Sequence, residues 1–357
     1  MVLTYIAIFF LWQKYHFKSQ PYLFIKLMSL FSLSMIVIIF CSIWQYKQYE
    51  WNPVTVKGIF RPFFKDHTVF GATSAILAIF WLSMVRTVKS NSTGILYLLS
   101  AIFFLYGVIL SNSRASFLSL LFSGVVWLLL ILKIKFKAVL ITTGVLITFL
   151  FIFNGRITSL LRENTHLSYD TRNGFVERIK SSGNISSDVS NLERLNRWVS
   201  GFRMFSDKPF TGFGPGTYQF TYIPYQKPEL MNRLSVKDLW HIPENSGGTA
   251  HSEYILALSE MGIVGFLALI LIFGRWAWLT FRQSYEYDNK TRIMVQVAFV
   301  SLSTYIFHAF FNNFLNTDKF AFLFWGLAAW LCAHYELQTR KQRVKDKAEQ
   351  EIKGFRI

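Results

Sequence analysis

Charge and cysteine are both scarce in this chain. Only 16% of its 357 residues are Asp, Glu, Lys or Arg, and there are 2 cysteines. Against 52% hydrophobic and 18% aromatic residues, that leaves more apolar material than one water-facing core of this size needs, which excludes an ordinary soluble domain. Cys41 and Cys332 fall inside predicted membrane spans near opposite faces, so neither a disulfide nor a metal centre is expected of them. No acidic pair and no His/Cys cluster has metal-ligand spacing. The start of the chain lacks the basic region and small-residue cleavage site of a signal peptide, so the spans themselves are expected to direct insertion.

What is present is a series of apolar runs close to the ~20 residues that a helix needs to cross the hydrocarbon layer, where backbone polar groups must pair internally. Helices are predicted near Tyr22–Gln45, Thr68–Val85, Gly94–Leu110, Ala115–Leu132, Phe136–Phe153, Ser252–Ile272, Ile293–Phe311 and Phe320–His334. The shorter run Val2–Trp12 either inserts as an abbreviated first span or marks a chain that lacks helices upstream. The expected fold is an all-α polytopic membrane protein, a bundle of about eight or nine transmembrane helices with one large, partly helical external loop. The organisation read from this is 1–153 for the amino-terminal spans, 154–250 for the loop, 251–334 for the carboxy-terminal spans and 335–357 for a basic tail.

The formal charge of +17 comes from 37 Lys and Arg against 20 Asp and Glu. These basic residues sit between spans, where lipid headgroups and topology account for them, and no nucleic-acid partner is expected. Alternate loops holding Lys14 and Lys18, Arg86 and Lys89, Lys133 to Lys137, Arg275 to Arg292 and the tail from Arg340 are all basic, which assigns them to the cytoplasm. The turn at Ser111–Arg114 and the loop 154–250 then face outward. Within that loop, Asn191–Phe205 carries Leu192, Leu195, Val199, Phe202 and Phe205 at helical spacing and is expected to fold and dock on that stripe.

Four groups of residues could carry chemistry. Arg114 follows the Ser111-Asn112-Ser113 turn and opens a helix, whose unpaired N–H groups and positive dipole end suit phosphate oxygens; it equally suits an arginine snorkelling to headgroups. His251 lies in Gly247-Gly248-Thr249-Ala250-His251-Ser252-Glu253. With Thr249 as N-cap it would occupy the first turn of the next span, and the dipole there would keep the imidazole neutral, as a general base requires. Gly262 and Gly265 return at about 100° per residue to the same side, so that a neighbouring helix could pack beneath the histidine. Arg194, Arg197 and Arg203 occupy the folded part of the loop, with Trp198 on the face of Arg194. Arg61, Lys65, Asp66 and His67 precede the Thr68 span and offer a second basic surface or a charged interfacial loop. Pro209-Phe210-Thr211-Gly212-Phe213-Gly214-Pro215-Gly216 lacks the lysine of a nucleotide P-loop and reads as a rigid turn. Tyr218, Tyr222 and Trp240 suit either stacking on sugar rings or anchoring in the interface.

Taken together, these motifs resemble the O-antigen ligase family. Arg114-Ala115-Ser116-Phe117-Leu118 fits its arginine-x-x-x-leucine pattern, and His251-Ser252 followed by Gly262-Ile263-Val264-Gly265 fits its histidine-led pattern. Arg194 to Trp198 with Lys208 to Gly216 looks like its outer-loop signature. The resemblance implies a C-type membrane glycosyltransferase of the bacterial inner membrane, with a periplasmic loop and a cytoplasmic carboxy-terminus. Its donor would be an undecaprenyl-diphosphate-linked glycan, its acceptor the lipid A core or another surface glycan, with membrane lipids around it and neither metal nor other cofactor. By the same resemblance His251 is the base, Arg114 and Arg194 bind the diphosphate, and Arg61, Arg197 and Arg203 are further substrate contacts. A polymerase of the same superfamily shares the donor, base and arginines and differs in the acceptor. A lipid-linked glycan transporter would instead place its charges at mid-membrane depth, whereas the notable ones here gather at the outer rim.

Overall fold

A computed structural model describes residues 2–52, 55–152, 189–238, 240, 249–286 and 289–354, and among them every regular element is helical. In chain order these are α1 (Val2–Ser19), α2 (Leu23–Gln48), α3 (His67–Met84), α4 (Asn91–Ser111), α5 (Arg114–Ile131), α6 (Phe136–Ile152), α7 (Val189–Asp207), the single turn α8 (Tyr218–Thr221), α9 (Glu253–Glu286), α10 (Asn289–His308) and α11 (Asp318–Gly354). Most of the polar run Ser181–Asn191 and the segment 241–248 lie outside the described residues.

Six helices among the described residues are long and apolar enough to cross a membrane: Leu23–Gln48, His67–Thr87, Asn91–Ser111, Arg114–Ile131, Glu253–Arg282 and Asp318–Val344. That is fewer than the eight or nine expected. The run in α6 that qualifies as apolar is the shorter Phe136–Val145. The helix α10 forms where a span was expected, but it carries the buried polar residues Gln296, Ser301, Ser303 and Thr304. Within α11 no break separates the apolar part from the basic tail.

The chain divides into two compact units. One comprises Met1–Phe136, Trp276–Tyr305 and Leu315–Ile357, the other Lys137–Arg275 and Ile306–Phe314. In the first, α3 is the central helix, buried from Val69 to Trp81 without interruption. Small residues let its neighbours approach. Gly107 of α4 faces Ser74 of α3 and Ile39 of α2, and Gly71 of α3 lies against the hydroxyls of Ser111 and Ser116. The Trp81 indole donates to Ser32 Oγ of α2 at 2.8 Å, so that a polar atom inside an apolar layer is paired. Along α11, Glu336 forms ion pairs with both Lys14 and Lys18 of α1, and the Trp330 indole donates to the Pro21 carbonyl at 3.0 Å.

The tight fit at Gly71 gives a direct check. An added methyl at Gly71 would meet Ser111 Oγ at 2.5 Å and Ser116 Oγ at 2.7 Å, whereas one at Gly124 meets nothing within 4 Å. Gly71→Ala is therefore expected to lower stability by about 1–3 kcal/mol, read as a drop in thermal midpoint in detergent, and Gly124→Ala to leave that midpoint unchanged.

Candidate functional site

The residues singled out in the sequence fall into both units. In the first unit, Asn112 takes a left-handed conformation (φ 53) and its N–H bonds the Ile109 carbonyl, which turns the chain out of α4. Ser113 then caps α5, its Oγ accepting from Ser116 N at 3.3 Å, so Arg114 is the first helical residue, as expected. His67 Nδ1 donates to the Ser111 carbonyl at 2.8 Å and fixes this turn to the head of α3, while Asp66 caps α3 through Thr68 N at 2.9 Å. Asp66 thus caps α3, and His67 joins α3 to the end of α4. Arg61 is exposed, and its carbonyl accepts from Gln45 Nε2 at 3.2 Å.

The second unit holds Arg194, Arg197, Arg203 and His251. Helix α7 spans the predicted segment, but it docks on a different face from the apolar stripe. Its buried positions are Glu193, Asn196, Arg197, Ser200, Gly201 and Met204, whereas Leu192, Leu195, Val199 and Phe205 are only partly buried and Phe202 is exposed. A polar stripe can be buried because Glu193, Asn196 and Arg197 meet partners placed by the loop, and the Ser200 hydroxyl bonds the Asn196 carbonyl of its own helix. Arg197, 0% exposed, donates through Nε to Glu193 at 2.8 Å and through Nη1 to the Thr249 carbonyl at 2.9 Å, with the Tyr222 ring beside its guanidinium. Glu193 also accepts from Ser235 Oγ at 2.6 Å. Asn196 donates to Gln226 Oε1 at 3.0 Å and accepts from Lys227 N at 2.9 Å. Arg203 donates to the carbonyls of Tyr225 and Gln226 at 3.1 and 3.2 Å. Arg197 and Arg203 therefore both tie the loop to α7.

The two tyrosines considered as sugar platforms are inside this core. Tyr218 and Tyr222 stack on each other with centroids 5.1 Å apart, and the Tyr218 hydroxyl donates to the Arg197 carbonyl at 2.7 Å. Burial pushes the phenols of both above their ordinary range, so they act as neutral groups. Trp240, by contrast, is 91% exposed.

His251 differs from expectation in its placement and agrees in its state. It precedes the helix rather than sitting in its first turn. Ser252 Oγ faces Ile255 N at 3.4 Å as the cap, and α9 begins at Glu253. His251 itself adopts a left-handed backbone (φ 50), held by its neighbours: Arg197 grips the Thr249 carbonyl and the Trp198 indole N–H reaches the His251 carbonyl at 3.5 Å. Burial, then the positive charges of Arg197 and Arg194, hold its imidazole well below the usual range. Burial and neighbouring positive charge both favour the neutral ring.

The second correction concerns Gly262. Instead of lying on a continuous helical face, it breaks α9 with φ 63 and ψ −164, a combination open essentially to glycine alone. The glycine-rich turn seats itself in that break. The carbonyls released at Ser259 and Glu260 accept from Phe213 N at 3.0 Å and Gly214 N at 2.8 Å, and Ile263 N donates to the Pro209 carbonyl at 2.7 Å. Glu260, which the sequence did not single out, accepts from Gly216 N and Tyr218 N at 2.8 and 2.9 Å. Two glycines make this possible. A Cβ on Gly212 would lie 2.3 Å from the Glu260 carbonyl carbon, and one on Gly262 would lie 2.4 Å from that of Phe210. Gly265 makes room for the Met261 side chain of its own helix rather than for a neighbouring one.

His251 stands half-buried just ahead of the membrane helix α9, where the positive charges of Arg197 and Arg194 disfavour its protonation. Among the described residues no group of three His, Cys, Asp or Glu side chains could hold a metal ion. Gly262→Ala is expected to be severely destabilising, with the backbone conformation alone contributing about 1–3 kcal/mol and the steric clash adding to it. Loss of folded protein in size-exclusion chromatography of the detergent extract would register it, with Gly274→Ala, where a Cβ meets nothing within 4 Å, as the neutral comparison.

Compared with known proteins, residues 99–270 match the family model described as O-antigen ligase. No curated protein matches the chain.

Proposed function

Residues 99–270 make this chain a member of the O-antigen ligase family, a multi-pass membrane protein of glycan transfer, and on that basis we propose that it moves a glycan from an undecaprenyl-diphosphate carrier onto an acceptor hydroxyl. The acceptor is the lipid A core or another surface glycan, and the reaction takes place on the periplasmic face of the bacterial inner membrane, with the carboxy-terminus cytoplasmic. What supports this reading is the fixing of His251 by Arg197 and Trp198 on a loop braced from within, where burial and the positive charges of Arg197 and Arg194 disfavour the imidazolium.

The chemistry is a single displacement. The acceptor oxygen attacks the anomeric carbon as His251 takes its proton, and the bond from that carbon to the phosphate oxygen breaks, the electron pair leaving with the diphosphate. Inversion at the anomeric carbon follows. Negative charge grows on the leaving group in the transition state, so a guanidinium already in place lowers the barrier more than it tightens ground-state binding. Arg194 has that role, and Arg114, at the head of α5 in the other unit, is assigned to diphosphate binding by its helix N-terminal position. Arg197 and Arg203 support this chemistry by holding the loop; Arg61 is a further candidate contact.

Deletion of the gene, complemented with wild type or variants, tests the reading when surface glycan and carrier-linked glycan are both quantified. His251→Ala is expected to reduce transfer by about 10²–10⁴-fold, and Arg114→Ala or Arg194→Ala by about 10²–10³-fold, with carrier-linked glycan accumulating. Full restoration by all three would overturn the assignment. Long carrier-linked chains beside a bare acceptor identify a ligase; single repeats on the acceptor identify the polymerase reading instead.

The pH profile supplies a separate check. A base is lost when it is protonated, and His251 is protonated only well below the ordinary imidazole value of 6.5. The acid limb of transfer in purified enzyme should accordingly lie below that pH. Arg194→Gln removes a positive neighbour, makes the imidazolium easier to form, and should move the limb to higher pH; an unmoved limb would show that His251 is not the titrating group.

A further inference from the structure

A cavity in the first unit lies far from Arg114 and carries a different chemistry. It is lined by Tyr22 at the head of α2, Lys26 and Ser29 of α2, Thr87 beyond α3, Tyr97 of α4 and Met294 of α10, and its volume is about 240 Å³. Because α3 runs from His67 to Met84, the cavity sits at the opposite end of that helix from the Ser111–Arg114 turn, a separation of about 27 Å at 1.5 Å per residue.

Lys26 is the unusual member. It falls one turn inside the apolar α2, four residues after Tyr22 and three before Ser29, so these three share a face. An exposed lysine in the first turn of a membrane-spanning helix holds its ammonium at headgroup depth, where an anionic group is its natural partner. The remaining lining is a mixture of hydroxyls and apolar groups, with no acidic side chain. Arg86 and Lys89, both exposed, flank Thr87 in sequence and add positive charge at the same end of α3.

Outside the cavity the two helices beside it change character. Along α2, Leu30, Leu33 and Val37 are exposed, and along α4, Ile95, Leu98, Leu99 and Ile102. A cationic and hydroxylated head site thus continues into apolar surface that runs along the spans. That is the chemistry of an amphiphile with an anionic head, and we propose that this cavity binds the headgroup of an anionic phospholipid of the leaflet opposite Arg114, with the acyl chains lying along α2 and α4. Lys26 meets the phosphate, and Tyr22 and Tyr97 contribute hydroxyl contacts at headgroup depth. The site is independent of the glycan-transfer reading and does not involve the residues assigned to it.

The test uses purified full-length protein in detergent, with lipid binding followed by native mass spectrometry against phosphatidylglycerol, phosphatidylcholine and inorganic phosphate. Phosphatidylglycerol is expected to bind more tightly than phosphatidylcholine, and Lys26→Gln to weaken its binding by about fivefold, the effect of one basic residue near an anionic surface. Lys26→Arg keeps the charge and should bind within about twofold of wild type by the same reasoning, which separates a lost contact from a damaged fold. Equal binding of the two lipids, or equal loss in Lys26→Gln and Lys26→Arg, would overturn the proposal. Competition by inorganic phosphate as effective as that of the lipid would also overturn it, because the cavity would then recognise a free anion only.

Discussion

A chain that crosses lipid has to satisfy its own backbone hydrogen bonds, and the arrangement around His251 depends on how α9 meets that demand after it breaks. Gly262 interrupts the helix, and an interrupted membrane helix exposes carbonyls on one side of the break and N–H groups on the other. Here the Pro209–Gly216 turn supplies the missing partners from both directions, donating to Ser259 and Glu260 and accepting from Ile263. The loop is consequently fastened to the membrane helix through backbone atoms, which no side-chain substitution can reproduce. Glu260 extends the fastening by a carboxylate that takes two further loop N–H groups. Gly212 and Gly262 are required because the two backbones approach more closely than any Cβ allows.

The second fixed point is the polar interior of α7. A buried ion pair such as Glu193–Arg197 adds little net stability compared with apolar residues of the same shape, but removing one partner leaves a costly uncompensated charge. Its value lies in what else it holds. Arg197 also grips the Thr249 carbonyl, two residues before His251, and Trp198 on the next position reaches the His251 carbonyl itself. A histidine with a left-handed backbone needs such bracing, since no regular element fixes it. In this way the loop core sets the position of a side chain that stands outside any helix.

The sequence made the helices legible because their signal is local: long apolar runs bounded by turn residues and basic loops. It also placed Arg114 at a helix head, since the Ser111–Ser113 turn and the run after it leave little choice. The site geometry was less legible, for reasons that can be located. The apolar stripe of α7 pointed to the wrong inward face, because a buried polar face can be recognised only when partners as distant in sequence as Gln226, Ser235 and Thr249 are known. Gly262 fits a helical period, and only the contact with Phe210 and Pro209 reveals that it ends one. Tyr218 and Tyr222 look like exposed loop aromatics until their stacking and the bond to the Arg197 carbonyl are seen.

The charges around His251 carry one more consequence for the proposed chemistry. A base works best when its pKa lies near the working pH, yet burial and two arginines hold this imidazole well below it. Taken in the free protein, that is a penalty on proton transfer. It would change with a diphosphate bound at Arg194, as proposed, because the ligand's negative charge would cancel a positive charge that opposes the imidazolium. On the proposed mechanism, donor binding would then raise the basicity of His251 and prepare it for the acceptor proton, while in the free protein the same histidine stays neutral. On that mechanism Arg194 would both stabilise the leaving group and, together with Arg197, keep the base weak until a leaving group is present, so that donor binding and activation of the acceptor would be linked.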